Sequence, residues 1–284
     1  MLPNFFIIGA PKCGTTSLHS YLAAHPEIHM SPIKEPRFFA EPDPELPFEE
    51  PRVGVRADYE RLFDSPLAIR GESSPSYSQY PRRRGVPERI HALIPDARFV
   101  YVVRDPVDRA VSHYMQRAAY EAERRPFRDA LGDITDPMNP YLCASRYATQ
   151  MERYHQYFPP DRLLVVDQAD LRDDRPPTLR EIFSFLGADP DFESPAFAES
   201  VNVGYQGLPR AYVAARRSWA GRLVRRLPTP AYQRITRPLR SLLSHSVERP
   251  EIDESLRGRL RAGLADEVRR LRLVTGKEFA SWSL

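Results

Sequence analysis

The sequence predicts an α/β fold with a central parallel sheet of about four or five strands. Short apolar runs alternate with segments whose apolar residues recur at helical spacing, which is typical of a parallel sheet covered by helices on both faces. No internal repeat is apparent. The 284 residues suffice for a substantial core. We therefore expect a single domain, with a core over 1–209 and a basic helical C-terminal region over 210–284.

The first elements are expected to be a strand, a glycine-rich turn and a helix. The apolar run NFFIIG (4–9) is typical of a buried strand. The segment that follows the turn places Leu18, Tyr21 and Leu22 at helical spacing, and Pro26 closes the helix. This order points backbone N–H groups at an anion, and the helix dipole adds to the attraction.

The later elements continue the alternation. Strands are expected within LAIRGESSPSY (67–77), RFVYVVR (98–104) and RLLVVDQADL (162–171). Helices are expected over 86–95, 105–123, 147–158, 178–187 and 254–276. Pro106 suits the first turn of its helix, and Gly187 ends another. The segment 31–51 is punctuated by prolines and is expected to be irregular.

The composition gives no sign of nucleic-acid binding, a disulfide framework or a membrane span. The formal net charge of +3 is small. Two cysteines, Cys13 and Cys143, favour a reducing compartment. No stretch approaches about 20 apolar residues, and the N-terminus lacks the basic region of a signal peptide. We expect a soluble, cytoplasmic protein, and the sequence does not determine its oligomeric state.

The loop after the first strand has the form of a phosphate cradle with a displaced lysine. The common ATP-binding pattern is G-x-x-x-x-G-K-[ST]. Gly9 and Gly14 keep the glycine spacing, but Thr15 stands at the lysine position and Lys12 lies inside the loop. There Lys12 could contact a bridging oxygen at which leaving-group charge develops. Further hydroxyl and N–H donors come from Thr15, Thr16 and Ser17.

A second anion-binding group is expected where the strand 98–104 ends. This strand ends in Arg104 and not in the acidic residue that would hold Mg²⁺ in an ATP-binding protein. Ser112 follows eight residues later, roughly two turns into the next helix. An arginine can bind a phosphate through two hydrogen bonds, so Arg104 and Ser112 could bind one phosphate together.

These two motifs together resemble the sulfotransferases that use 3′-phosphoadenosine 5′-phosphosulfate (PAPS), in particular the bacterial and heparan-sulfate-type branches. The family pattern P-K-[CSTG]-G-T-T-[SAT]-L is matched by residues 11–18. The pattern R-[DN]-P-x-x-R-x-x-S is matched by Arg104, Asp105, Pro106, Arg109 and Ser112. The segments KEPRFF (34–39) and LRLVTGKEFASW (271–282) also resemble parts of this family. The resemblance spans most of the chain.

The resemblance implies a three-layer, P-loop-like domain that binds PAPS and releases the desulfated product, PAP, without a metal. The 5′-phosphosulfate would be bound by Lys12, Cys13, Gly14, Thr15, Thr16 and Ser17. Arg104 and Ser112 would bind the 3′-phosphate. A third contact is expected near 201–210, where the animal enzymes have a basic loop and Arg210 could replace its lysine.

Sulfuryl transfer requires charge stabilisation and a base, and the sequence offers candidates for both. Lys12 should stabilise the leaving phosphate. By analogy with the glycan-type branch, Glu35 is the first candidate for the base, although its basic neighbours Lys34 and Arg37 would lower its pKa. Glu72 is the second candidate, or else a structural carboxylate. The residues expected to meet the acceptor are Glu35, Arg37, Glu72 and Tyr77.

The sequence does not identify the acceptor. The resemblance favours a hydroxyl or amine of a carbohydrate or natural product. The segment 210–249 holds ten arginines and one acidic residue, and 216–227 has the pattern of an amphipathic basic helix. That helix could contact an anionic membrane surface, hold an acidic acceptor, or simply pack on the domain.

Two other functions remain open at this point. A P-loop kinase acting on a small molecule would need Mg²⁺ and ATP, and the displaced lysine argues against it. A non-catalytic module that binds phosphate groups or a membrane surface would use the same loop without turnover.

Overall fold

A computed structural model describes residues 1–41, 52–119, 123–198 and 248–284, together with the backbone of 206–207 and 245–246. It confirms the α/β architecture. Five parallel strands form one sheet in the order β2-β3-β1-β4-β5. These strands are β1 Phe5–Gly9, β2 Ile28–Met30, β3 Ile69–Ser73, β4 Arg98–Val103 and β5 Leu163–Asp167. Two short strands, β6 Gln206–Gly207 and β7 His245–Ser246, pair antiparallel elsewhere.

Helices flank this sheet. In chain order they are α1 Thr15–Ala23, α2 Arg56–Arg61, α3 Val86–Leu93, α4 Pro106–Ala119, α5 Phe127–Leu131, α6 Tyr147–His155, α7 Gln168–Asp173, α8 Arg175–Leu186 and α9 Glu254–Thr275. None of the helices in the described ranges combines the length and apolar character needed to cross a bilayer.

Most predicted elements lie where they were expected, with two differences. The strand predicted over 162–171 stops at Asp167, because the Asp167 carboxylate accepts a hydrogen bond from the N–H of Ala169 (3.0 Å) and starts α7. The short elements β2, β6, β7, α2 and α5 were not predicted, since two to six residues are too few to show a periodicity. Helix α8 ends, as expected, before Gly187, whose φ is +83°.

The strand order brings the functional motifs to one edge of the sheet. Strand β1 lies in the middle of the sheet, with β3 on one side and β4 on the other. The chain adds β2 and β3 on one side of β1 and then crosses to add β4 and β5 on the other side. The crevice at such a switch point, beyond the carboxyl ends of the strands, is where α/β sheets bind ligands. The loop after β1 starts against β4, because the N–H of Ala10 donates to the carbonyl of Val102 (2.6 Å). Both predicted phosphate-binding motifs therefore leave neighbouring strands at the same edge.

Candidate active site

The loop after β1 adopts a backbone that favours anion binding at the start of α1. Gly14 precedes the helix with a φ of +85°, and Lys12 has a φ of +73°. The left-handed region is costly for a residue with a side chain, by about 1–3 kcal/mol, and is found preferentially at functional sites. Four non-glycine residues in the described part of the chain have positive φ. Three of them, Lys12, Glu35 and Arg37, are predicted site residues, and the fourth is Phe279.

The side chain of Cys13 fills space inside the protein. It is fully buried, and burial raises the pKa of its thiol to about 11 against the opposing charges of Arg109 and Arg104. The thiol is therefore protonated at neutral pH and is a poor nucleophile. The backbone N–H of Cys13 donates to the carbonyl of Ala10 (3.2 Å) and helps to close the turn, so the predicted contact of Cys13 with the donor stays a prediction.

The second motif is built around the N-terminus of α4. The Asp105 carboxylate caps this helix by accepting hydrogen bonds from the N–H groups of Val107 and Asp108, each at 2.9 Å. Pro106 occupies the first helical position. The Arg109 side chain is fully buried, and its Nε donates to Ser145 Oγ (2.6 Å). These three motif residues hold the helix in place, which leaves Arg104 and Ser112 as the motif's candidate phosphate ligands.

Arg104 lies at the surface of this edge, and Ser112 lies just inside it. The Arg104 side chain is about 25% exposed and its guanidinium is 3.5 Å from the Asp108 carboxylate. Arg249, the last residue of the basic segment, also pairs with Asp108, so that the end of that segment lies beside Arg104. Ser112 is 7% exposed. Arg210 and the helix expected over 216–227 lie outside the described residues.

His113, next to Ser112 on α4, shows that Lys12 is close to the second motif. Burial lowers the pKa of His113 well below its usual value, and the charges of nearby cations lower it further. Those cations are Arg109, Arg117, Lys12 and Arg82. The imidazole is therefore neutral at physiological pH, and the charge of Lys12 reaches the same part of α4 that carries Ser112.

Glu35 lies in a strained loop that the end of β3 supports. Its backbone N–H donates to the carbonyl of Ser73 (3.0 Å), and its own φ is +64°. One carboxylate oxygen is 2.8 Å from Lys34 Nζ, and the other is 2.5 Å from an Nη of Arg37. About a quarter of the Glu35 side chain is exposed, so an acceptor can approach it.

The electrostatics of Glu35 favour its ionised form. Burial acts to raise the pKa of this carboxyl, but the charges and hydrogen bonds of Lys34 and Arg37 together outweigh burial and lower it. A carboxylate held in this way is available as a proton acceptor across the neutral range. Its intrinsic basicity is reduced by the same two cations, as the sequence suggested.

Glu72 and Tyr77, two of the residues expected to meet the acceptor, lie in the core of the protein. Glu72 is fully buried on β3, and Tyr77 is 2% exposed with its hydroxyl accepting from the N–H of Phe39 (3.2 Å). Both side chains face an aromatic cluster with Tyr59, in which the rings of Tyr59 and Phe38 stack at 4.3 Å. The alternation of side chains along β3 turns Glu72 inward, and sequence spacing alone does not reveal which face is covered.

Burial raises the pKa of Glu72 to about 7. Neither carboxylate oxygen has a hydrogen-bond partner of standard geometry among the described residues, although the hydroxyls of Tyr77, Tyr59 and Ser74 lie close enough to oppose the effect of burial. Glu72 is therefore a largely protonated, structural carboxyl below neutral pH.

The substitution Glu72→Gln should flatten the dependence of stability on pH. The folded-state pKa of about 7 exceeds the usual value of 4.5, so the contribution of Glu72 to stability is fully present below pH 4.5 and is lost as pH rises through 7. The neutral amide removes this loss, which amounts to about 3 kcal/mol. Urea unfolding of both proteins at several pH values from 5 to 8 measures the difference. The exposed Glu278→Gln is the control, and a pH-independent difference between wild type and Glu72→Gln would contradict the assignment.

Sequence reasoning missed Tyr147 and the C-terminal tail 277–284. The tail lies at the same edge of the sheet, where Trp282 Nε1 donates to the Asp167 carboxylate (3.0 Å) and the N–H of Ser283 donates to Asp105 (2.6 Å). The sequence did show that 271–282 resembles a segment of the family. It did not show that this segment lies beside the site. Tyr147 begins α6 and carries no motif at all.

A glycine loop with its lysine at the switch point of a parallel sheet, joined by a second basic motif at the same edge, defines a P-loop-like α/β protein with two adjacent candidate anion-binding groups. The family model described as "Sulfotransferase domain" matches residues 2–201. The chain therefore belongs to the sulfotransferase family.

Relatives of known function are similar over most of this chain. Human bifunctional heparan sulfate N-deacetylase/N-sulfotransferase 3 is 29% identical over 209 residues, covering 67% of this chain and 23% of the relative. Human heparan sulfate glucosamine 3-O-sulfotransferase 6 is 28% identical over 219 residues, covering 75% of this chain and 60% of the relative. The chain thus spans between about a quarter and three-fifths of the length of these relatives.

Among solved structures, a sulfotransferase from Alicyclobacillus acidocaldarius superposes with a TM-score of 0.71 at 27% identity. The match covers 100% of both chains. The sheet, the phosphate loop and the described C-terminal helix thus belong to one fold that both proteins share.

Proposed function

We propose that this protein transfers a sulfuryl group from PAPS to a hydroxyl or amine of a carbohydrate or natural-product acceptor. The observation that carries the proposal is the adjacency of two anion-binding motifs at the ends of the neighbouring strands β1 and β4. One motif contains Lys12, and the other contains Arg104 and Ser112. A nucleotide with separate 5′ and 3′ phosphates needs two such sites at a defined distance.

In this mechanism, the donor is bound at both ends and its sulfur is left open to attack. The 5′-phosphosulfate lies at the N-terminus of α1, where backbone N–H groups and the helix dipole favour negative charge. The acceptor oxygen or nitrogen bonds to sulfur while the bond from sulfur to the bridging oxygen breaks. The electron pair of that bond passes to the phosphate of PAP, and Lys12 stabilises the charge that develops there.

Glu35 is the base that we propose for the acceptor proton. It is partly exposed, it is held ionised by Lys34 and Arg37, and it lies in a loop supported by the carboxyl end of β3. Glu72 is a weaker candidate for that role, because it is fully buried and has no exposed oxygen to offer. A base that is positioned for the acceptor proton contributes about 10²–10⁴-fold.

The acceptor class follows from the relatives and from the basic surroundings of Glu35. Both named relatives act on heparan sulfate according to their names, one as an N-sulfotransferase and the other as a 3-O-sulfotransferase. A glycan or glycosylated small molecule is therefore the proposed acceptor, with the receiving atom either nitrogen or oxygen. Mass spectrometry of candidate acceptors incubated with PAPS and the enzyme would detect the added sulfonate.

PAP should stabilise the protein without any added metal. In EDTA, PAP at about 100 times its dissociation constant adds about 2.7 kcal/mol, which corresponds to a rise in Tm of about 5 °C. Arg104→Ala should lose most of this shift. The alternatives predict other outcomes: ATP with Mg²⁺ should stabilise a kinase more than PAP does, and a non-catalytic module should bind PAP without sulfating any acceptor. Stabilisation by ATP with Mg²⁺ and none by PAP would overturn the proposed donor.

A further inference from the structure

We propose that Tyr147 is a positioning residue that sets the distance between the two phosphate-binding motifs, and that Trp282 of the C-terminal tail holds Tyr147 in place. This inference rests on the proposed donor, because it concerns how one nucleotide engages both motifs at once. Neither residue is exposed: Tyr147 is 1% and Trp282 is 7% accessible, so each acts through its protein contacts.

The hydroxyl of Tyr147 contacts both motifs. It donates a hydrogen bond to the carbonyl oxygen of Arg104 (2.7 Å) and accepts a longer one from the Arg104 N–H (3.4 Å). The same oxygen lies 4.0 Å from Cys13 Sγ, inside the loop after β1. One buried group therefore joins the backbone of the second motif to the side chain of the first.

This contact stays neutral across the physiological range. Burial raises the pKa of the Tyr147 hydroxyl well above its usual value, with the nearby Cys13 adding to the rise. Burial also keeps the Cys13 thiol protonated. Neither partner changes charge near pH 7, so the bridge holds a geometry and does not act as a pH switch.

The C-terminal tail packs behind Tyr147. The rings of Trp282 and Tyr147 are 5.7 Å apart, and Trp282 stacks on Phe279 at 4.3 Å. The tail also binds two carboxylates at the ends of β4 and β5: Trp282 Nε1 donates to Asp167, the last residue of β5, and the Ser283 N–H donates to Asp105, just after β4. The tail thereby ties together the two strand ends that flank Arg104 and α4.

The consequence concerns simultaneous binding and not either phosphate alone. When two contacts are held at the correct separation, the second forms at a high effective concentration once the first has formed. If Arg104 shifts relative to the loop containing Lys12, a ligand with both phosphates loses this advantage. A ligand with one phosphate loses little, because it uses one motif.

The test is Tyr147→Phe, which removes the hydroxyl and keeps the ring. Calorimetric titration in EDTA would compare PAP with adenosine 5′-monophosphate, which lacks the 3′-phosphate. Losing one hydrogen bond of this kind costs about a factor of 3–10. We expect PAP to bind about 3–10 times more weakly, and adenosine 5′-monophosphate to change less than about twofold.

Two further variants make the experiment specific. Tyr101→Phe is the matched control, because Tyr101 is equally buried, its ring lies 5.9 Å from that of Tyr147, and its hydroxyl is hydrogen-bonded to neither motif. It should leave both affinities unchanged. Trp282→Phe keeps an aromatic ring but removes the donor to Asp167, and it should weaken PAP selectively by a smaller factor. It also supplies the comparison should Tyr147→Phe fold poorly.

The outcomes separate this inference from the proposed function. Equal weakening of PAP and adenosine 5′-monophosphate in Tyr147→Phe would overturn it, because Tyr147 would then act on the shared part of the ligand. Unchanged affinities in both Tyr147→Phe and Trp282→Phe would overturn it as well. Failure of the wild-type protein to bind PAP would instead overturn the proposed donor.

Discussion

Replacing Lys12 by methionine should slow sulfuryl transfer about 100- to 1,000-fold, the usual cost of removing one group that stabilises developing charge. The lysine lies in the loop after β1, where the bridging oxygen of the 5′-phosphosulfate is proposed to gain charge. Its ammonium group is more important to the transition state than to the bound donor, because the ground state carries less charge on that oxygen. We therefore expect the loss mainly in kcat.

The measurement is the rate of PAP formation at saturating PAPS. Lys12→Arg is the matched variant: it keeps the positive charge at the same left-handed backbone position, and it should retain more activity than Lys12→Met. The Tm of both unliganded variants should be measured as well, so that a loss of folding is not mistaken for a loss of rate. Full turnover by Lys12→Met would remove the lysine from the mechanism.

Glu35→Gln should reduce kcat by about 10²–10⁴-fold and leave the affinity for PAP unchanged. The amide cannot accept the acceptor proton, yet it preserves the shape of a side chain that contacts Lys34 and Arg37. The wild-type enzyme should also keep its rate at unusually low pH. Lys34 and Arg37 lower the pKa of Glu35, so the rate should decline only at pH values below the ordinary pKa of a glutamate. Lys34→Met should raise that pKa and move the decline to higher pH.

Glu72→Gln provides the internal comparison for this prediction. It makes the same chemical change at the other candidate base, and its buried position predicts that most activity is kept. Once folding is confirmed, the rates of both variants are measured at saturating PAPS and a fixed acceptor concentration. Comparing these rates shows which carboxylate accepts the proton. A large loss in Glu72→Gln together with normal rates in Glu35→Gln would reverse the assignment of the base.

The elements that were predicted well share a local origin. The strand 98–104 was expected because Val100, Val102 and Val103 lie in one β-branched run, and β4 covers Arg98–Val103. Helix α9 was expected from apolar spacing and ends before Gly276, whose φ is +66°. The strand 162–171 was predicted too long because the capping carboxylate of Asp167 is recognisable only once a helix is known to follow it.

In the candidate site, too, the features that depend on neighbouring residues were predictable, and those that depend on distant segments were not. The spacing of Gly9, Lys12 and Gly14 is a short-range property, so it was readable directly from the sequence. The burial of Glu72 was not, because it depends on the aromatic side chains of Tyr59 and Tyr77, which reach it from other segments. For the same reason Tyr77 was expected at the acceptor and lies in the core.

By itself, the sequence determined the family, the fold class and the positions of the two candidate phosphate-binding motifs, because each of these depends on residues a few positions apart on one strand, turn and helix. The tertiary structure alone decided which carboxylate is accessible and that Tyr147 lies between motifs 43 and 134 residues away along the chain. It also brought Ser283 to Asp105 across 178 residues. Contacts at such separations are set by how helices and tail pack on the sheet, and no local pattern of residues encodes that packing.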